Sequence, residues 1–238
     1  MSLQAERDAA RHKLINAGLI LAHQGHGDMT RGHVSIRVPG EPGHFYMKAH
    51  SIGLDEITME NILTFDLEGE VVEGSARPHS ERYIHSEIFR ARPDVHSVIH
   101  AHPTHAVAFS VTGQAMRAMS QGGAIFKDHL PVFTGTIDLI RSKQTGADVA
   151  RALGDAPCVL MRAHGIALAA ESVEAAVVLS VMLEEAAKVQ LLATAAGADA
   201  WEFPAEDVEA LRLKLMRSEQ FVINFNYLTR LARRGLHA

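Results

Sequence analysis

Ala10, Leu14, Ala17 and Leu21 fall at the spacing of one helix face and predict an amphipathic helix closed by Gly25 and Gly27. The alternating run Val34-Ser35-Ile36-Arg37-Val38 predicts a half-buried strand. Pro39-Gly40-Glu41-Pro42-Gly43 reads as a turn, and His44 to Ala49 as the returning strand of a hairpin. Leu63 to Asp66 and Glu70 to Val72, split by Leu67-Glu68-Gly69, predict a second hairpin. Ser80 to Arg92 reads as a helix with Ser80 at its N-cap, Ile84, Ile88 and Ala91 on one face, and Pro93 as its stop. Val95 to Ala101 reads as a strand closed by Pro103, and Thr104 to Val111 as a short helix. The glycine-punctuated stretch from Gly113 to Gly135 yields no assignment. Thr145 to Leu153 reads as a helix ended by Gly154. Cys158 to Met161 and Ile166 to Ala169 are short apolar strands around a turn at His164-Gly165. Ser172 opens a long alanine-rich helix to about Ala196, and the tail beyond Pro204 reads as one or two charged helices.

Strands arriving as hairpins favour a mostly antiparallel sheet with helices packed on it over a parallel crossover sheet. A chain of 238 residues without repeat, low-complexity tract or linker suits one domain over 1–238. Mean hydropathy is +0.01, and no long apolar run is free of charge, which excludes a membrane-spanning protein. A net charge of −5, with no Lys/Arg cluster, argues against nucleic acid or an anionic membrane as partner. The single cysteine, Cys158, excludes a disulfide scaffold or a multi-cysteine metal knuckle. The charged first segment is unlike a signal peptide, so a reducing cytoplasm is expected. Fifteen histidines are the compositional anomaly, in the side chain that is the commonest metal ligand.

His100-Ala101-His102 is the strongest local signal. Residues i and i+2 of a strand share a face, so two imidazoles should project together where Pro103 breaks the ladder. That is a metal chelate short of a third ligand, and His164, held by backbone in its turn, is the candidate. His96 shares the strand's parity but reads more simply as a structural histidine. Glu81 lies in the first turn of the helix before this strand, where an acidic residue also suits the helix dipole. The tight Pro93-Asp94 turn makes helix and strand antiparallel, so Glu81 and His102 should meet at one end as acid/base and ligand.

These residues resemble the class II aldolase/adducin-head family, typified by fuculose-phosphate aldolase and ribulose-phosphate 4-epimerase. Gly32-His33-Val34-Ser35-Ile36-Arg37 is similar to the family's Gly-Asn-x-Ser-x-Arg, and His79-Ser80-Glu81 to its Ser-Ser-Glu. His85, then Ala91-Arg92-Pro93-Asp94-Val95 and Val98-Ile99-His100-Ala101-His102, match its helix-to-strand signature. Leu160-Met161-Arg162-Ala163-His164-Gly165 looks like its Leu-x-x-Asn-His-Gly turn. The resemblance spans Arg7 to Lys188. It implies an α/β fold, three-layer α/β/α with a central mostly antiparallel sheet. It further implies His100, His102 and His164 as ligands of one divalent metal ion, and Glu81 as catalytic acid/base. Homotetramers with interfacial active sites are usual in the family, and Tyr227 of the tail could then reach a neighbour's site.

The chain departs from the sugar-phosphate pattern in three places. His33 replaces the Asn, His79 replaces the first Ser before Ser80-Glu81, and His50-Ser51-Ile52-Gly53 replaces a Thr/Ser-Gly element. A phosphate nest needs small residues and close backbone approach, which three imidazoles would crowd. Protonated, His33, His50 and His79 would suit a carboxylate or a phenolic oxygen, with Ser35, Gly53 and Ser80 beside them. The variant looks like the family's non-sugar branches, which include decarboxylases of hydroxylated aromatic or pyridine carboxylates. Ala163 replaces an Asn beside the third ligand. Arg37 reads as a surface strand residue or, failing that, as a carboxylate anchor. Zinc suits three histidines best, with manganese or cobalt also accepted.

The expected activity is therefore a metal-dependent carbon–carbon lyase acting on a non-phosphorylated hydroxy-carbonyl or hydroxy-aromatic acid. Aldol cleavage and decarboxylation both pass through an enolate stabilised by the metal as Lewis acid. The alternatives are a sugar-phosphate aldolase or 4-epimerase, and a non-catalytic adducin-like assembly domain.

Overall fold

A computed structural model describes residues 2–197 and 201–235. Helix α1 (Leu3–His23) is capped by Ser2, whose hydroxyl accepts the Ala5 amide at 3.3 Å. Strands β1 (His33–Val38) and β2 (Glu41–Lys48) form the first hairpin, β3 (Ile62–Asp66) and β4 (Val71–Glu73) the second. Helix α2 (Arg82–Ala91) leads into β5 (Ser97–Ala101). There follow α3 (Thr104–Ser110), α4 (Gln121–Phe126), β6 (Val132–Phe133) and α5 (Lys143–Leu153). The hairpin β7 (Cys158–Met161) and β8 (Gly165–Ala170) precedes α6 (Val173–Ala195), α7 (Ala205–Leu215) and α8 (Ser218–Gly235). No helix among the described residues is long and apolar enough to cross a membrane.

Among the described residues, eight strands form one sheet in the order β4-β3-β2-β1-β5-β8-β7-β6. Every pairing is antiparallel except β6 with β7. Strand alternation sends Val34, Ile36, Ile99 and Leu168 to one face, where Leu14 and Leu21 of α1 and Leu179 and Leu183 of α6 cover them. Phe45, Val98 and Ala167 point the other way, onto Ile84, Ile88 and Phe89 of α2 and Val149 and Leu153 of α5. The three-layer α/β/α arrangement follows from these two apolar faces.

Four details differ from the sequence reading. The first hairpin turns at Pro39-Gly40, and β2 already begins at Glu41. The unassigned stretch holds α4 and the two-residue β6, too short to leave a pattern. Ser80 does not cap α2, because the helix starts at Arg82 and Glu81 occupies the cap position. His96 lies exposed ahead of β5.

Strand β1 is buried along its whole length, because α2 covers its polar stripe of His33, Ser35 and Arg37. Arg37 is neither a surface residue nor a substrate anchor. Its Nε donates to Val95 O at 3.0 Å, its Nη2 to Phe89 O at 3.0 Å and Arg92 O at 3.3 Å, and its Nη1 to Pro42 O. One guanidinium thus ties the end of α2 and the turn after it to β1. Arg37→Met leaves those carbonyls without a donor, and is expected to lower unfolding free energy by about 3 kcal/mol. Urea midpoints measure it, and an unchanged midpoint would refute the clamp.

Candidate metal centre

Sheet order assembles the histidine cluster. Strands β5 and β8 are antiparallel neighbours with Ala101 opposite Ile166. The residue just past β5, His102, therefore meets the residue just before β8, His164, at one edge of the sheet. Gly165 permits the contact, since a Cβ there would lie 2.4 Å from Ala101 O and 2.7 Å from His102 Cδ2. On the other side His33 of β1 is the direct cross-strand partner of His100. Helix α2 runs antiparallel to β5, which returns Glu81 to the same edge.

One ring nitrogen from each of His100, His102 and His164 lies within 4.8 Å of the others. His100 is fully buried. Its Nδ1 lies 2.9 Å from Ile166 O and must donate to it, which leaves Nε2 a bare lone pair aimed into the cluster. His102 Nε2 is 3.1 Å from that atom. The Glu81 carboxylate sits among them, with Oε2 3.7 Å from His100 Nε2 and 3.9 Å from His33 Nε2, and Oε1 3.6 Å from His164 Nε2.

Burial sets the charge states. Desolvation holds His100 well below the ordinary imidazole range, His102 at about 4, and His164 lower than usual. All three are neutral at pH 7, the form that binds a cation. His102 Nδ1 and His164 Nε2 are buried without a hydrogen-bond partner. Neutral, convergent imidazoles with unused nitrogens fit a divalent metal ion. A second trio, His33, His79 and Glu81, meets the same 4.8 Å limit. Burial pushes the Glu81 carboxyl up, opposed by the Ile140 amide, which donates to Oε1 at 3.0 Å.

The residues expected to touch substrate separate into two groups. His33 and His79 join the cluster, with ring centroids 4.2 Å apart. Both are neutral, His79 at about 3 and His33 well below its usual value, chiefly through burial, so protonated imidazoles are not what the cleft presents. The Glu81 amide donates to His79 Nδ1 at 3.3 Å, so the proton of that ring sits on Nε2. His50 lies at the margin, its ring 5.5 Å from that of His79 and its Nδ1 2.6 Å from Ser51 Oγ.

Ser35, Gly53 and Tyr227 are not brought to the cluster in this chain, whereas Ser80 lies in sequence between two of its members, His79 and Glu81. Ser35 Oγ lies 2.6 Å from His85 Nδ1, and His85 Nε2 lies 2.6 Å from His33 Nδ1, so the hydroxyl is two buried imidazoles behind the cleft. The Gly53 amide donates to Glu56 Oε2 at 2.7 Å and is not free for a ligand. Ser80 is partly buried just ahead of α2. Tyr227 is 52% exposed on α8.

Sequence reasoning passed over three neighbours. Asp28 Oδ2 lies 3.7 Å from His102 Nδ1, and Arg31 pairs with Asp28 at 2.8 Å. Lys48 is fully buried, its Nζ donating to Thr30 O at 3.0 Å and Ile52 O at 2.5 Å, and burial lowers it to about 8. Strand parity gave no signal for it, since both faces of β2 are buried from Phe45 to Lys48. Ala163 takes a left-handed φ of 58°, and its amide donates to Ser110 Oγ at 2.9 Å. Asparagine tolerates that region better than alanine, which accounts for the family's preference by backbone geometry. Ala163→Asn is expected to stabilise the protein by about 1 kcal/mol, read as a raised Tm. An unchanged Tm would show the turn unstrained.

Residues 12–191 match the family described as Class II Aldolase and Adducin N-terminal domain. The chain is 32% identical over 218 residues to 3,4-dihydroxyphthalate decarboxylase of Arthrobacter keyseri, covering 85% of this chain and 86% of that one. It is 31% identical over 181 residues to Decarboxylase NovR of Streptomyces niveus, covering 75% and 67% respectively. Among solved structures, L-fuculose 1-phosphate aldolase from Glaciozyma antarctica PI12 superposes with a TM-score of 0.87 at 23% identity, over 98% of this chain and 92% of that one.

Proposed function

Because the chain belongs to the class II aldolase and adducin N-terminal domain family, we propose that it is a metal-dependent decarboxylase of a dihydroxylated aromatic carboxylate. The observation that carries this reading is Glu81, a buried carboxyl with its oxygens within 4 Å of ring nitrogens of His33, His100 and His164. Decarboxylation needs an acid that delivers a proton to carbon, and such a group is suited to do so. The name of the Arthrobacter keyseri relative supplies the substrate class, and that of the Streptomyces niveus relative agrees on the reaction.

His100, His102 and His164 would hold the ion, with zinc first and manganese or cobalt the other candidates. When bound it supplies a Lewis acid for the substrate's adjacent oxygens. Glu81 passes its proton to the ring carbon as the bond to the carboxylate breaks. The electron pair of that bond stays with the ring, a C–H bond forms, and carbon dioxide leaves. His79 offers its Nε2–H to the departing carboxylate, and His33 lies beside it. Deep burial of His33, His79 and Glu81 excludes water from the carbon being protonated. A homotetramer in the cytoplasm, with Tyr227 approaching a neighbouring copy's cleft, completes the reading.

The sugar-phosphate reading loses support where the Gly53 amide, which a phosphate would need, is taken by Glu56. The test is direct. Metal-loaded protein is incubated with 3,4-dihydroxyphthalate or L-fuculose 1-phosphate, and carbon dioxide and aldehyde are assayed. Carbon dioxide from the aromatic acid is expected. Aldehyde from the sugar phosphate would replace this reading with an aldolase, and neither product would favour a non-catalytic role.

A further inference from the structure

Arg31 stands at the mouth of the cleft that ends at His102 and His164. Its side chain is 53% exposed and pairs with Asp28, itself 34% exposed. Exposure falls steadily inward from there, through His164 at 14% and His102 at 8% to Glu81 at 3%. Arg31 is close enough for its charge to lower the proton affinity of His102, His164 and Glu81. Ile137 and Leu139 line the same cleft and give it an apolar flank.

On the decarboxylase reading, the carbon that loses its carboxylate must lie against Glu81, the source of its proton. Glu81 lies behind His164, its Oε1 3.6 Å from Nε2 of that ring, so the rest of the substrate ring extends outward past His164 between the apolar flank and Arg31. An exposed pair such as Asp28–Arg31 holds its partners weakly, and the guanidinium fork can exchange one carboxylate for another. Asp28 Oδ2 lies 3.7 Å from His102 Nδ1 while paired with Arg31, and once released it can close on that ring's N–H, the support expected behind a metal-binding histidine.

We propose that Arg31 selects the substrate by binding a second carboxylate that the reaction retains, so that the preferred substrate is a dihydroxy-aromatic dicarboxylate. This rests on the decarboxylase reading, and it adds the residue that separates dicarboxylates from monocarboxylates.

Two unreactive probes test it. 3,4-Dihydroxybenzoate carries adjacent hydroxyls and the retained carboxylate, whereas catechol carries the hydroxyls alone. Both are titrated calorimetrically into metal-loaded wild type, Arg31→Gln and Arg31→Lys. Wild type is expected to bind the acid about tenfold more tightly than catechol, Arg31→Gln to bind both alike, and Arg31→Lys to keep part of the preference. Equal affinities in wild type, or a preference that survives in Arg31→Gln, would overturn the assignment of Arg31 alone. Failure of both probes to bind would overturn it together with the decarboxylase reading.

Discussion

Glu81→Gln is expected to retain the metal and the fold while kcat falls by about 10²–10⁴-fold. Glutamine keeps the size of the side chain and an oxygen for the Ile140 amide, so the loop that approaches from residue 140 stays in place. It has no acidic proton to give to carbon. The measurements are carbon dioxide release at saturating substrate and metal content by atomic spectroscopy on one preparation. An undiminished kcat would remove Glu81 from the chemistry. Loss of metal alongside activity would instead make the carboxylate a ligand, a role its place in the second trio allows.

His100→Ala has the larger expected effect, because it acts on the ion itself. His100 is fully buried, fixed by Ile166 O, and touches the rings of His33, His102 and His164. Without it two imidazoles remain of three, too few for a closed chelate. Metal content is expected to fall from one ion per chain to near zero, and activity to background. Wild type should melt at higher temperature with added zinc, and the variant should not, since a ligand stabilises only the state that binds it. Full occupancy in His100→Ala would move the ion to His33, His79 and Glu81.

The pairing of His100 with His102 could be read from the chain because strand parity is a local rule. The approach of Glu81 followed from one tight turn that folds α2 back along β5. Strand β6 could not be read, since its pairing with β7 spans two residues and leaves no periodicity. The inward positions of Ser35 and Arg37 were hidden for a different reason. Alternation gives the face of a residue but not what covers it, and here the cover is α2, from a segment some fifty residues away. Gly53 shows the same limit, because a glycine in a loop announces an available amide and not the carboxylate that has already claimed it. Asp28 and Arg31 sit in a short turn where Met29 adopts a φ of 55°, a conformation its side chain gives no hint of.

The close approach at Gly165 has a consequence for redesign. The span between the third imidazole and the other two is set by main chain pressed against main chain, so side-chain exchanges nearby have little purchase on it. The bite offered to an ion is in that sense hard-wired, while the groups that greet the organic molecule are ordinary replaceable side chains on other strands and loops. A new specificity could therefore be grafted at His33, His79 or Arg31 without re-engineering the centre they surround.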